Sequence, residues 1–332
     1  MKIAFFELKN WERDYLAERL TGWELWFDAE RMSESSLPAV ADAEVISPFV
    51  RSRLSRQILE RLPNLRFIPT RSTGVDHIDL DACRERGIRL SNVPTYGEYT
   101  VAEHTFALIL SLSRNVHKSY LRVMEGKLEL AALTGFDLKD KTLGVIGAGR
   151  IGLHVIRIAR GFGMRVLTFD ARQDAFLAEL LGFEYTPLET LLRSSDIITL
   201  HVPYLPATHH LINRDTLRMV KKGALLINTA RGPLVETDAL AWALDEGILA
   251  GVGLDVIEGE ENLIEEKQIL DEPHTVETLR QILRTHILLK RDNVVFTPHN
   301  AFNSREALRR ILDTTLDNIE GWRRNAPLNL VV

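Results

Sequence analysis

The sequence predicts an α/β protein built from two doubly wound parallel-sheet domains. Three observations predict it. Short apolar runs alternate with amphipathic stretches along nearly the whole chain, as strands feeding crossover helices do. The alternation comes as two series separated by one long helical stretch. The length, 332 residues, holds about two domains at roughly 150 residues each.

In the first series, residues 2–8, 24–27, 43–46, 65–69 and 88–90 read as strands, with helical patterns at 11–20, 55–62 and 80–87 between them. A helical stretch from Thr100 to about Gly126 follows. Its opening, VAEHTFALILSL, is apolar nearly all round, the pattern of a helix buried between domains or subunits. The second series has strands at 142–146, 165–169, 196–202, 223–228, 251–255 and 293–297. Helices fit at 150–161, 174–181, 213–220 and 237–247. Gly161, Gly182 and Gly247 stand where C-terminal helix caps belong. Residues 261–292 read as charged helical segments inserted between two later strands and broken by Pro273, and a last helix runs from Ser304 to about Arg324. No internal repeat appears beyond the alternation itself.

Composition narrows the function. Apolar residues are 45% and charged residues 26% of the chain, a globular balance that excludes general disorder. With 41 basic and 46 acidic residues the net charge is −5, so there is no basic excess for a nucleic-acid backbone. Cys83 is the only cysteine; it excludes an intramolecular disulfide and a multi-cysteine metal site, and a lone thiol suits the cytoplasm. No metal site is expected. The N-terminus shows no signal-peptide pattern, and no apolar run approaches the ~18 residues that span a bilayer.

The strand TLGVI runs directly into Gly147-Ala148-Gly149-Arg150-Ile151-Gly152. This is G-x-G-x-x-G opening a helix. The first glycine permits a tight turn, the second lets a pyrophosphate approach the backbone, and the third lets helix and strand pack closely. The helix N-terminus offers free N–H groups and a positive dipole end to phosphates. Asp170 ends the next strand, where a carboxylate accepts from ribose hydroxyls and repels an added phosphate, so NAD is expected over NADP. Arg172, two residues on, would soften that preference.

Three later strand ends carry polar residues suited to chemistry. Arg231 follows the strand ending in Asn228, and its planar fork suits a carboxylate with a neighbouring carbonyl. Asp255, Glu258 and Glu260 follow the strand GVGL. His299 follows the last strand, and a carboxylate beside a histidine favours its protonated form. Singly, each is better read as a surface or structural residue. Placed together after a nucleotide loop, Arg231, Glu260 and His299 form a set able to polarise a 2-keto acid and protonate its oxygen.

These segments resemble the D-isomer-specific 2-hydroxyacid dehydrogenase family, in particular its D-lactate dehydrogenase branch. The resemblance covers nearly the whole chain. It is carried by STGVDHID (72–79), SNVPTYGEYTVAEH (91–104), LGVIGAGRIG (143–152), HVPYLPATHHLI (201–212), INTARGPLVETDAL (227–240), GLDVIEGE (253–260) and TPHNAFNSREAL (297–308). It implies a Rossmann-like cofactor domain, 99–300, and a smaller flavodoxin-like substrate domain, 1–98 with 301–332, facing each other across an interdomain cleft.

It also implies roles. Arg231 would bind the substrate carboxylate and carbonyl, His299 would donate and accept the proton, and Glu260 would support His299. Thr73, Gly74 and Val75 would clasp the carboxylate, with Tyr96 and Phe302 in the substrate pocket. Gly147, Gly149, Arg150, Ile151, Gly152, Asp170, Val202, Pro203, Thr208, Thr229, Ala230 and Asp255 would line NAD, with Asp255 near the nicotinamide. The branch often has tyrosine where this chain has Phe302, which bears on side-chain preference. Thr73 is not a lysine, which argues against the phosphite-oxidising relatives. The expected reaction is reversible reduction of a small 2-keto acid, pyruvate first, to the D-2-hydroxy acid. A bulkier keto acid, glyoxylate or hydroxypyruvate is the alternative substrate, and an NADH-sensing regulator the alternative class. A homodimer is expected, through the apolar 101–112 helix.

Overall fold

The computed structural model describes residues 1–260 and 275–332. The chain divides into two compact units, Met1–Tyr96 with Ser304–Val332, and Gly97–Asn303.

The first unit runs β1 (Lys2–Phe5), α1 (Asn10–Arg19), β2 (Glu24–Phe27), α2 (Leu37–Val40), β3 (Val45–Ser47), α3 (Arg56–Glu60), β4 (Phe67–Pro69), α4 (Leu80–Arg86) and β5 (Arg89–Ser91). The strands pair in parallel in the order β2-β1-β3-β4-β5, the flavodoxin-like arrangement. Alternate residues face opposite ways along a strand, so each strand feeds two cores. Ile3, Phe5, Val45 and Phe67 pack with Leu16 of α1, with Leu20 just past its end, and with Leu312 and Ile319 of the C-terminal helix. Ala4, Ile46, Ile68 and Leu90 pack with Leu37, Leu59 and Ala82 on the other face.

The second unit runs α5 (Glu98–Ser113), α6 (Val116–Met124), β6 (Thr142–Ile146), α7 (Arg150–Gly161), β7 (Arg165–Phe169), α8 (Ala175–Leu181), β8 (Glu184–Tyr185), α9 (Leu188–Ser194), β9 (Ile197–Leu200), α10 (Arg214–Leu217), β10 (Ala224–Asn228), α11 (Thr237–Asp245), β11 (Leu249–Leu254), α12 (Val276–Leu289) and β12 (Val294–Phe296). The parallel order β12-β11-β10-β9-β6-β7-β8 reverses direction at β6. That reversal is the switch point where open α/β sheets take ligands, at the carboxyl ends of their strands. The last helix, α13 (Arg305–Arg323), belongs to the first unit, and its Ser304 side chain caps it by accepting from the Ala307 N–H. Among the described residues, no helix is long and apolar enough to cross a membrane.

The structure departs from the sequence reading in four places. The helical stretch 100–126 is two helices, because the Ser113 carbonyl takes the Phe136 N–H and Asn115 turns left-handed, φ 52°. Much of the apolar side of α5 packs inside its own unit, where Leu108 and Leu112 press on Gly253 and Gly251 so closely that a Cβ there would lie 3.0–3.1 Å away, while Ala107 and Leu110 stay at the surface. Gly161 is not a cap: α7 runs through it and Gly163, φ 73°, takes the left-handed turn. The elements α2, β8 and α9 are not expected from the sequence, and α2 and β8 carry too few residues to show a period. The capping positions of Gly182 and Gly247 hold, with φ 69° and 63°. Residues 261–274 of the expected insertion, Pro273 included, lie outside the described residues, and α12 supplies its helical part.

Candidate active site

β6 delivers the glycine loop to the switch point. Gly147 has φ 103°, and a Cβ on it would lie 2.7 Å from the His201 carbonyl. A Cβ on Gly152 would lie 1.9 Å from the Gly147 oxygen. Both glycines are therefore demanded by the protein's own packing. Gly149 is not: a Cβ there would meet no protein atom within 4 Å. Its smallness keeps the outer surface of the loop clear for a group approaching from outside. The first turn of α7 has no capping side chain and no acidic residue, which suits an arriving pyrophosphate. Asp170 closes the loop, accepting from Ala148 N at 2.6 Å and from Arg172 N at 2.8 Å. These residues fit a dinucleotide. Arg150 lies 3.7 Å from Glu98, and Ile151 is half-buried behind it.

The remaining expected cofactor residues lie on loops after β9 and β10. Val202 and Pro203 follow β9, and Thr208 spends its hydroxyl on a local turn, donating to Pro203 O at 2.8 Å. Thr229 is almost buried and donates to Thr105 of α5 at 3.0 Å, which in turn donates to Val101 O. Ala230 is fixed by its N–H, which donates to Asn228 Oδ1 at 3.0 Å.

Arg231 follows on the same turn. Asn228 Nδ2 donates to its carbonyl at 2.8 Å, and its own Nη1 donates to Ala230 O at 2.7 Å. Gly232 makes room for the neighbouring acidic loop, since a Cβ on it would lie 2.2 Å from the Ile257 carbonyl. On that loop Glu260 accepts from His299 Nδ1 at 2.8 Å, with both side chains about a third exposed. The Glu260 contact engages Nδ1 of His299 and not Nε2.

The backbone of His299 is left-handed, φ 49°, a conformation uncommon for residues other than glycine. Asp255, 1% exposed, holds it there. The Asp255 carbonyl accepts from His299 N at 2.9 Å. Its carboxylate accepts from Thr297 Oγ1 at 2.5 Å, Asn300 N at 3.0 Å and Ala301 N at 2.9 Å. His104 of α5 donates to Thr297 Oγ1 at 2.9 Å, and burial, opposed by Asp255, keeps its pKa below the usual histidine value.

In the first unit, the Thr73 hydroxyl donates to Val93 O at 2.6 Å and Ser72 Oγ donates to Gly74 O at 2.7 Å. Gly74 and Val75 are half-exposed, and the Tyr96 carbonyl accepts from Arg310 at 2.7 Å. Phe302 lies in the second unit, directly after the Asp255-bound Ala301.

Sequence reasoning passed over four residues. Arg71, just before the Thr73 loop, is buried and donates to Ser47 O at 3.1 Å and Glu7 O at 3.2 Å; burial pushes its pKa down to about 10. His104 closed one quoted segment without a role. His201 is pushed down to about 3 by burial. His210 meets Glu258 at 2.7 Å. Polar residues inside otherwise apolar or glycine-rich segments were the available signal for the three histidines.

Comparison with known proteins agrees with this geometry. Residues 106–301 match the family model for the D-isomer specific 2-hydroxyacid dehydrogenase NAD binding domain. The chain is 36% identical to D-lactate dehydrogenase of Escherichia coli over 98% of its own length and 97% of that protein. It is 37% identical to glyoxylate reductase of Korarchaeum cryptofilum over 93% of its length and 89% of that protein. Among solved structures it resembles D-lactate dehydrogenase from Aquifex aeolicus complexed with NAD and lactic acid, with a TM-score of 0.87 and 38% identity over 98% of this chain and 96% of that one.

Proposed function

The chain belongs to the D-isomer specific 2-hydroxyacid dehydrogenase family, and from that premise we propose that it reduces pyruvate, reversibly and with NADH, to the D-2-hydroxy acid. The observation that carries the proposal is the Glu260–His299 pair at 2.8 Å, held beside the Arg231 turn. The cofactor, bound as NADH, supplies a hydride to the carbonyl carbon. His299 gives the oxygen its proton from Nε2, and Glu260 fixes the orientation of the ring. Arg231 holds the carboxylate and polarises the carbonyl, and Thr73, Gly74, Val75, Tyr96 and Phe302 complete the substrate contacts. Gly147, Gly149, Arg150, Ile151, Gly152 and Asp170 hold the pyrophosphate and ribose. Val202, Pro203, Thr208, Thr229 and Ala230 would line the rest of the cofactor, with Asp255 near the nicotinamide.

The likeness to a glyoxylate reductase favours glyoxylate as the second substrate reading. A panel of pyruvate, glyoxylate, hydroxypyruvate, phenylpyruvate and 4-methyl-2-oxopentanoate, followed by NADH absorbance, ranks them. Pyruvate should give the highest kcat/KM, and His299→Ala should cost on the order of 10²–10⁴ in rate with NADH affinity kept. Turnover of none of these acids by a protein that binds NADH would overturn the reading in favour of a sensor.

We further propose a cytoplasmic homodimer. A lone buried cysteine suits a reducing compartment. The apolar surface available to a second copy includes Tyr99, Ala107 and Leu110 of α5 beside the exposed Phe162, and α6 with the segment after it, where Tyr120, Leu121, Met124, Leu128 and Leu130 are exposed. A monomeric mass at micromolar concentration would refute the dimer.

A further inference from the structure

Among the described residues, Glu258 is the one acid of the loop after β11 that the proposed chemistry leaves without a task. It is paired all the same. Its Oε1 accepts from His210 Nε2 at 2.7 Å, and its Oε2 accepts from Thr237 Oγ1, at the start of α11, at 3.4 Å. Both members of the pair are between a quarter and a third exposed, 27% for Glu258 and 30% for His210.

His210 is itself tied on three sides. Its N–H donates to Pro233 O at 2.9 Å, two residues beyond Arg231. Its carbonyl accepts from Asn213 Nδ2 at 2.9 Å, and Asn213 Oδ1 caps α10 by accepting from Asp215 N and Thr216 N. Its ring stacks on His209 with centroids 3.8 Å apart and 22° between planes. The backbone of His210 is left-handed, φ 48°, a conformation that a non-glycine residue keeps only where its surroundings over-determine it.

The pair therefore spans two segments of the site. On one side His210 holds the Gly232–Leu234 turn that follows Arg231. On the other side Glu258 lies two residues before Glu260, the partner of His299. Between them, the Gly232 backbone touches Ile257 and Glu258 with no space for a methyl group. That close contact has no side chain of its own to hold it shut.

We propose that Glu258 and His210 are positioning residues that fix the spacing between Arg231 and the Glu260–His299 pair. The proposal rests on the dehydrogenase reading of the site. Neither residue touches the reacting atoms. Opening the contact by a fraction of an ångström would misalign carboxylate binding with proton delivery, and a misplacement of about 1 Å in such a site costs on the order of 10²-fold. The glycine loop and Asp170 lie on β6 and β7, outside the pair's reach, so NADH binding should be indifferent to it.

The test uses three variants of the full chain. Glu258→Ala removes the acceptor. His210→Asn keeps a residue that tolerates the left-handed backbone but cannot reach Glu258. Glu258→Gln keeps an acceptor oxygen for the His210 N–H. Three quantities are measured: kcat and KM with pyruvate, binding of oxamate (a carboxylate–carbonyl mimic that cannot be reduced) to the NADH complex, and amide hydrogen exchange over 231–235 and 255–260.

Glu258→Ala and His210→Asn should lower kcat/KM and weaken oxamate binding by at least about tenfold. NADH affinity should stay within about twofold, and exchange at both segments should accelerate. Glu258→Gln should recover to within about threefold of wild type. Wild-type exchange and oxamate affinity in Glu258→Ala would overturn the proposal, and so would loss of NADH binding in step with oxamate, which marks general damage. If the two variants speed exchange as expected but the wild-type protein reduces no keto acid, the dehydrogenase reading falls and the clamp stands.

Discussion

Asp255→Asn separates a residue that holds the proposed proton donor, His299, from one that merely touches cofactor. The substitution changes almost no volume at a side chain 1% exposed. What it changes is the donor–acceptor count. Three donors converge on the carboxylate: the Thr297 hydroxyl and Asn300 N–H on one oxygen, and the Ala301 N–H on the other. An amide offers one oxygen and one NH2 group. In its better orientation the substituted amide would still accept from Thr297 and Asn300, but its NH2 would face the Ala301 N–H. One buried donor then goes unsatisfied, at about 1–3 kcal/mol. The affected turn carries His299 in a left-handed conformation that already costs about 1–2 kcal/mol. If the whole loss falls on that turn, kcat should drop by about fivefold to a hundredfold, since 1.36 kcal/mol is tenfold in rate. NADH affinity should change little. The assay is kcat for pyruvate at saturating NADH, beside NADH binding by fluorescence and Tm. A variant with a lowered Tm and wild-type kcat would refute the reasoning, because the network would then support the fold and not the position of His299.

Three other outcomes are expected. Arg231→Lys keeps the charge and loses the two-pronged fork, so KM for pyruvate should rise and kcat fall with NADH binding intact; wild-type kcat/KM would remove Arg231 from the substrate. Asp170→Ala removes a carboxylate that repels an added phosphate, so the preference for NADH over NADPH in kcat/KM should shrink; an unchanged ratio would place the discrimination elsewhere. The third concerns pH and His201, whose ring accepts a proton only near pH 3 in the folded chain and near 6.5 when unfolded. As pH falls between those values the unfolded chain takes up the proton and the folded chain does not. Stability is therefore complete above about pH 6.5 and is lost toward pH 3, at about 1 kcal/mol per pH unit. His201→Gln should flatten the acid side of the Tm profile, and an equally steep profile in the variant would contradict the assignment.

The architecture was legible because its signals are local. The apolar runs at β6, β7 and β10 are long enough to stand out, and Gly182 and Gly247 mark helix ends by their own backbone preference. The misreadings arose where a distant residue decided the outcome. Nothing near Asn115 in sequence says that Phe136 will take the Ser113 carbonyl and end α5 there. Nothing in the apolar stretch after Val101 says that Gly251 and Gly253 let α5 lie so near the sheet that Leu108 and Leu112 are spent against it. A periodicity argument records that a face is apolar and is silent about what covers it.

The same division runs through the site. Arg231, Glu260 and His299, the proposed chemical set, stand out because each breaks the pattern at a strand end with a residue type suited to one chemical task. Asp255 could be picked out too, but its work could not, because the donors it satisfies, on Thr297, His299, Asn300 and Ala301, all lie more than forty residues further along the chain. His104 and His210 show the limit more sharply. Each histidine is ordinary in its own segment and acquires a role only from a partner, Thr297 or Glu258, that the fold brings to it. Residues proposed to meet substrate are constrained by chemistry and are visible in the sequence. Residues that hold those residues in place are constrained by distance, and distance exists only in the folded chain.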